Sequence, residues 1–252
     1  MFRSSVILTT FNSPAALGLV LESLYMQTVP AYDIVIADDG STHQTRMVIS
    51  SWINKLPVTH VWQSDQNFRA ARVRNLAIKK ARGEHLIFID GDCVVPRNFI
   101  SAHKKLIKEK YLIAGGRKLL SKSETEVAVR NKTVPKFDHW KFLRLPLGLL
   151  RDLNPRGIDS VRTCNVGVMK VDLLSVGGFD ETYVGWGRED TDLVVRLIRK
   201  GIHVRSGRFF TTLNHLFHVE ECRDKLSLND AHLAKVIQSA RTDPLKSCLT
   251  EL

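Results

Sequence analysis

The sequence predicts an α/β fold built on a mainly parallel sheet with helices on both faces, and three observations point to it. Short β-branched runs alternate with helical patterns through the first half: "SVILTT" precedes "PAALGLVLESLYMQ", "YDIVIAD" precedes "STHQTRMVISSWINK", "VTHVWQ" precedes "AARVRNLAIKKA", and "HLIFID" precedes "RNFISAHKKLIKE". Three of these strands end in polar tails, Thr9-Thr10-Phe11-Asn12, Asp38-Asp39-Gly40-Ser41 and Asp90-Gly91-Asp92. Ligands of such sheets gather at the carboxyl ends of the strands, so the three tails are expected to converge. Finally, no internal repeat or low-complexity linker divides the chain, which favours one domain over residues 1–252, with a nucleotide-binding half (1–117) and a smaller acceptor-side lobe (118–252) sharing a sheet.

The elements after the first four strand–helix pairs are read in order. From about Lys118 to Arg162 the alternation fades, and Pro135, Pro146 and Pro155 break any long helix, so this stretch is expected to be irregular. A second ordered block follows: "TCNVGVMKVDLLSVGGFDE", a helix "EDTDLVVRLIRKG" closed by Gly201, strands through "VRSGRFFTTLNHLFH", and a last helix near "LNDAHLAKVIQSA".

Composition narrows the function classes. The 252 residues are 44% hydrophobic and 25% charged, which is ordinary globular composition with enough length for a full core. Lys and Arg total 37 against 26 acids, a net +11, so the surface should attract an anionic partner: nucleic acid, an acidic membrane leaflet or a phosphorylated substrate. Cys93, Cys164, Cys222 and Cys248 are scattered with no CxxC pair, so their spacing suggests neither a zinc site nor a disulfide scaffold, and a reducing cytosol fits. No apolar run approaches the length of a membrane span. A cytoplasmic location is therefore expected, with peripheral binding to the inner face of the membrane as a variant. The segment "PKFDHWKFLRLPLGLLR", residues 135–151, mixes basic, aromatic and leucine residues; it suits either an anionic membrane interface or a loop packing its apolar residues inward.

Four stretches carry candidate chemistry. "HLIFIDGDC" delivers Asp90 and Asp92 at a strand end; acids so close need a cation or hydrogen-bond donors between them, and oxygen ligands suit Mg²⁺ or Mn²⁺, although Asp and Gly also form plain turns. "ADDGS" offers Asp39 to a base or sugar and Ser41 as a helix cap, or else an Asx turn. "NFRAARVRN" opens a basic helix with Arg69, Arg72 and Arg74, suited to phosphate or simply to a solvated face; no nucleic-acid motif accompanies it. "GWGREDTD" sets Glu189, Asp190 and Asp192 behind Trp186 and its two glycines. A helix dipole favours such acids, and an indole beside carboxylates also suits a sugar ring whose hydroxyl is deprotonated by an acid.

Taken together, "SVILTTFNSPAALGLVLESL", "IVIADDGS", "NFRAARVRN", "GEHLIFIDGDCVVP" and "GGFDETYVGWGREDTDLVVRL" resemble the family 2 inverting glycosyltransferases of GT-A fold. The second half is similar to the motif shared by β-1,4-galactosyltransferases and chondroitin-type polymerases. The resemblance runs from about Ser4 to His218 and is weak only between Lys118 and Arg162. It implies a Rossmann-like GT-A sheet and a nucleotide-sugar donor, UDP-linked, lined by Thr9, Thr10, Asn12, Asp39, Phe68, Arg69, Asn75 and Asp90. It implies a DXD metal site for Mn²⁺ or Mg²⁺ at Asp92 with His215, His218 in reserve, Asp190 as catalytic base, and Glu189 and Trp186 at the acceptor, a glycan or lipid-linked glycan. Thr10 and Asn67 depart from the family pattern, where a small residue, often Pro, and a Gly are usual. Two other classes stay open: a nucleotidyltransferase acting on sugar phosphates, for which no Gly-rich phosphate loop follows the first strand, and a nucleic-acid-binding module using the basic helix, although no nucleic-acid partner is expected.

Overall fold

A computed structural model of the chain describes residues 2–137, 158, 161–219 and 222–250. Strands β1 (Ser4–Thr10), β2 (Asp33–Asp38), β3 (Val58–Trp62) and β4 (His85–Asp90) lie side by side in the order β3-β2-β1-β4, all parallel. The sheet continues through β8 (Asn165–Met169), antiparallel to β4, then β6 (Tyr111–Ala114), antiparallel to β8, and β9 (His203–Ser206), parallel to β6. Strands from both halves of the chain thus share one sheet. A second, small sheet joins β5 (Cys93–Val94), β10 (Leu213–His215) and β7 (Arg117–Leu119).

Both faces of the large sheet are covered over its inner strands, which is why β1, β2 and β4 read as nearly unbroken apolar runs, while the edge strands β3 and β9 are only partly buried. Val6, Leu8, Ile34, Ile36, Ile87 and Ile89 point into one core with α1 (Pro14–Tyr25) and α4 (Phe99–Leu106). Their neighbours Ile7, Val35, Leu86 and Phe88 point into the other, with α3 (Ala70–Lys80), α6 (Lys170–Ser175) and α7 (Glu189–Arg199). Register then aligns the polar tails: Thr10 pairs with Asp38, and Thr9 with Asp90. The convergence expected from the strand ends is present.

Several local expectations are corrected. The stretch after Lys118 is not irregular throughout, because α5 (Lys122–Asn131) starts there with a capping box: Ser121 Oγ accepts from the Glu124 N–H, and the Glu124 carboxylate accepts from the Ser121 N–H. The signature "SKSE" was legible. Ser41 does not cap α2 (His43–Ser50), whose N-cap is Thr42; the Ser41 hydroxyl instead accepts from the Asn12 N–H at 2.9 Å. The strands expected through "VRSGRFFTTLNHLFH" are present as β9 and β10, which fall in different sheets, with Phe209 between them at φ 68°. Gly201 at φ 79° follows α7 as expected. The last helix, α8, spans Leu226–Gln238. Beyond Phe137 the basic and aromatic segment lies outside the described residues, so neither of its two readings is addressed. Among the described residues no helix is long and apolar enough to cross a membrane.

Gly167 in β8 has a specific use. A Cβ there would come 2.6 Å from His103 Nδ1 and 2.8 Å from His85 Nε2, two buried ring nitrogens with no hydrogen-bond partner among the described residues. Burial, with the nearby His103 charge, drives His85 down to about 3, and burial drives His103 down to about 4, both from 6.5. Each ring is therefore neutral when folded, while the unfolded chain takes up a proton below pH 6.5. The stability this pair protects is complete above pH 6.5 and is lost as pH falls toward 4, on the order of several kcal/mol in all. Denaturant midpoints measured across that window should decline, and His85→Gln should flatten the decline; an unchanged slope would refute the account.

Candidate active site

The strand tails open on a cleft of about 510 Å³. Ten of the residues singled out in the sequence line it, Thr9, Thr10, Asp39, Phe68, Arg74, Asp90, Asp92, Trp186, His215 and His218, whereas Glu189 and Asp190 are not among the lining residues. Asp39 sits at its buried side, where its carboxylate accepts from the Arg69 N–H at 2.7 Å and from Gln63 Nε2. Burial pushes the Asp39 carboxyl upward against those two hydrogen bonds. Asp38 takes the turn role: it accepts from the Ser41 N–H at 2.8 Å and lies 2.8 Å from His60 Nε2.

The small sheet exists at this point to bring a histidine to the DXD pair. Antiparallel pairing sets His215 opposite Cys93, one residue past Asp92, and Leu216 N–H donates to the Asp92 carbonyl at 2.9 Å. His215 Nε2 then lies 3.6 Å from Asp92 Oδ1, and His218 Nε2 lies 3.4 Å from Asp92 Oδ2. The other ring nitrogens face backbone carbonyls, His215 Nδ1 that of Leu216 at 3.0 Å and His218 Nδ1 that of Val219 at 2.7 Å. A carbonyl accepts only, so each Nδ1 carries a proton and each ring turns its Nε2 toward Asp92. A carboxylate and two ring nitrogens within 4.8 Å of one another offer three donors to a cation. Asp92, His215 and His218 therefore fit a divalent ion, with the carbonyls acting as the outer partners that set the tautomer. His218, the reserve choice by sequence, stands beside His215 at the same carboxylate.

Arg74 organises the acids. Its guanidinium is buried, with Nη1 at 2.8 Å from Glu189, Nη2 at 3.4 Å from Asp90 and Nε donating to Thr9 Oγ1 at 3.1 Å. Burial opposes its charge, but Glu189, Asp90 and Asp190 outweigh that and hold its pKa above the usual arginine value. The acidic turn of the second half and the DXD pair of the first thus meet on one side chain. Sequence reading placed Arg74 in a basic run without this role. A signal was present: Ala70, Ala71, Ala77 and Ile78, at helical spacing around it, are all buried, so Arg74 stands on the apolar stripe of α3.

The turn "GWGR" is sharp as its glycines suggested, with Gly185, Gly187 and also Arg188 at positive φ (82°, 101° and 81°). A Cβ at Gly185 would strike Lys225 Cβ at 2.7 Å, and the Gly185 N–H donates to the Phe68 carbonyl at 2.9 Å. Trp186 is thereby presented half-exposed at the cleft with the Arg223 guanidinium 4.7 Å from its ring centre. The three acids behind it diverge. Asp192 is fully buried and pairs with Arg196 at 2.7 Å. Glu189 is buried on Arg74, and burial together with the adjacent Asp190 charge pushes its carboxyl up against the pull of Arg74. Asp190 is partly exposed; its Oδ1 accepts from the Thr191 N–H at 2.7 Å, and no hydrogen bond among the described residues reaches Oδ2.

Three residues expected at the donor do not line the cleft. Asn12, at φ 42°, ties the β1 end to α2, its Oδ1 accepting from the Thr42 N–H at 2.8 Å. Arg69 contributes its backbone to Asp39, and its side chain turns to Gln66. Asn75 is fully buried: its Nδ2 donates to the Phe179 carbonyl, Glu181 Oε1 and Ser247 Oγ, and its Oδ1 accepts from the Phe179 N–H. These bonds engage the amide, which clamps the segment that leads into the acidic turn.

Acids and imidazoles at the strand ends of the large sheet, with an indole and a second acidic turn beside them, stand where glycosyltransferases of this fold carry their sites, and comparison with known proteins agrees on the class. Residues 5–174 match glycosyl transferase family 2, and the chain belongs to that family. Residues 154–220 also match the family described as the N-terminal domain of galactosyltransferase. The chain is 29% identical over 226 residues to validoxylamine A glucosyltransferase of Streptomyces hygroscopicus subsp. jinggangensis, covering 81% of this chain and 53% of the relative. It therefore spans about half the length of that relative. Among solved structures, residues 1–349 of Staphylococcus aureus TarS in complex with UDP-GlcNAc superpose with a TM-score of 0.64 at 20% identity, covering 87% of this chain and 60% of the other. A mannosyltransferase from Pyrobaculum calidifontis in complex with GDP-Man and Mn²⁺ gives 0.62 at 19% identity, covering 95% and 65%. These two show the shared fold.

Proposed function

We propose that this chain transfers a sugar, with inversion, from a UDP-sugar to a hydroxyl of a glycan or lipid-linked glycan, in a reaction that requires Mn²⁺ or Mg²⁺. The observation that carries the reading is that Arg74, which lines the cleft with Asp90, Asp92 and Trp186, also holds Glu189 of the acidic turn, although Glu189 and Asp190 are not themselves among the lining residues. Support for the donor comes from the UDP-GlcNAc and GDP-Man held by proteins of the same fold. Thr9, Thr10, Asp39 and Phe68 form the donor wall, to which Asn12, Arg69 and Asn75 contribute through the backbone and loops they hold. Asp92, His215 and His218 would hold the cation, which when bound supplies Lewis-acid neutralisation of charge on the departing diphosphate.

The remaining steps belong to the chain's own side chains. Trp186 orients the acceptor ring, and orientation of this kind lowers a barrier by several kcal/mol, as an order of magnitude. Glu189, fixed by Arg74, holds an acceptor hydroxyl. Asp190 takes the proton from the attacking hydroxyl through its unbonded Oδ2, opposite the leaving group. The net charge of +11 and the basic segment 135–151 support work on a glycan at the cytoplasmic face of an anionic membrane.

A thermal-shift panel of UDP-, GDP- and TDP-sugars with Mn²⁺ tests the donor. UDP-sugars are expected to raise Tm only when the metal is present, and Asp92→Asn is expected to remove the metal-dependent part of the rise. A shift with no nucleotide sugar, or one indifferent to both metal and Asp92→Asn, would sink this reading.

A further inference from the structure

The cysteine spacing points to no metal site, yet folding brings two of the four together. Cys93 opens β5 directly after Asp92, Cys164 stands at the entry to β8, and both are buried and free of disulfide. Their sulfurs and a carboxylate oxygen of Asp90 all lie within 4.8 Å of one another. We propose that Asp90, Cys93 and Cys164 form a second cation site, taking a thiophilic divalent ion such as Zn²⁺ or Cd²⁺ through two sulfurs and one oxygen, separate from Asp92, His215 and His218.

Donor chemistry separates the two sites. Imidazole and carboxylate suit Mn²⁺ as well as Zn²⁺, whereas paired thiolates select the softer ions. Zinc holds sulfur at about 2.3 Å and carboxylate oxygen at about 2.0–2.2 Å in a tetrahedron, so its donors stand roughly 3.3–3.8 Å apart. Closing from the present spacing needs shifts of about an ångström, with water in the fourth position. Two thiolates and a carboxylate outweigh a divalent ion by one negative charge. Arg117 Nη1, 3.8 Å from Cys164 Sγ, and Arg74 Nη2, 3.4 Å from Asp90, supply positive charge at both ends of the set.

Binding releases the two thiol protons. One of these Cys93 now directs to Asp92 Oδ1 at 3.4 Å. Occupancy therefore alters the hydrogen bonding of Asp92 and draws on the carboxylate that Arg74 steadies. The ordinary alternative is a pair of packed thiols with no affinity for metal.

Titrating the whole purified chain with Cd²⁺, under a phosphine reductant, distinguishes them without any assay of transfer. One equivalent is expected to produce a sulfur-to-cadmium charge-transfer band in the ultraviolet. Cys93→Ser and Cys164→Ser should each abolish it, and Cys222→Ser should leave it intact. Wild-type protein gives a second readout that depends on no variant folding: Zn²⁺ should slow alkylation of Cys93 and Cys164 at least tenfold relative to Cys222. Absence of the band, its survival in both the Cys93 and Cys164 variants, or equal alkylation rates with and without Zn²⁺ would overturn the proposal.

Discussion

Asp190→Asn is expected to lower kcat by about 10²–10⁴-fold while the affinity for a UDP-sugar and Mn²⁺ changes little. The asparagine keeps the shape of the side chain, including an oxygen that can accept from the Thr191 N–H, and removes only the capacity to take a proton. The choice between the two neighbouring acids is physical. Glu189 is buried with its Oε1 held by Arg74 at 2.8 Å, so taking a proton there would neutralise one half of a buried ion pair, whereas accepting a hydrogen bond from a hydroxyl would not. Asp190 has one oxygen free of hydrogen bonds among the described residues and lies partly in solvent. Single-turnover transfer, measured beside donor titration, checks both halves of the expectation. Turnover within a few-fold of wild type would pass the role to another group, and a parallel loss of donor affinity would mean that the substitution had disturbed the cleft.

The second large effect is on stability. Arg74→Leu leaves Glu189 buried without its counter-ion and Asp90 without its guanidinium, a change that costs about 3–5 kcal/mol when one member of a buried pair is removed. For a chain of this size that is a fall in Tm of roughly 6–20 °C. The deficit should shrink as pH is lowered, because Glu189, whose carboxyl is already displaced upward by burial, becomes neutral and no longer needs a partner. Arg74→Lys should recover part of the loss, since a single ammonium restores the charge but cannot span Thr9, Glu189 and Asp90 as a planar fork does. Calorimetry of the three proteins between neutral and mildly acid pH is the measurement; a deficit indifferent to pH would remove the electrostatic explanation.

Much of the architecture was legible because the large sheet is buried on both sides. Runs such as "VILTT" and "IVIAD" have no polar face, and helical patterns between them leave few alternatives to parallel strands. The acidic and histidine motifs were legible as residue types at strand and helix ends. Their division of labour was not. "REDTD" holds three carboxylates in four positions, and nothing in that string says that Asp192 turns inward to Arg196 while Glu189 reaches Arg74. Likewise the capping box of α5 is written in "SKSE", but the helix is polar and has only Ala128 buried, so no apolar stripe marks it in the sequence.

By itself, then, the sequence determined the alternating elements, the strand-end position of Asp39, Asp90 and Asp92, and the sharp turn that presents Trp186, since all of these follow from periodicity and local backbone chemistry. Only the tertiary structure decided that Arg74 faces inward as the common counter-ion, that both histidines address one carboxylate, that the Asn75 amide clamps the segment before the acidic turn, and that Cys93 and Cys164 meet. Each of those is a contact between residues remote in the chain. Their partners are set by how strands pair and helices pack, and no local pattern encodes a distance across the sheet.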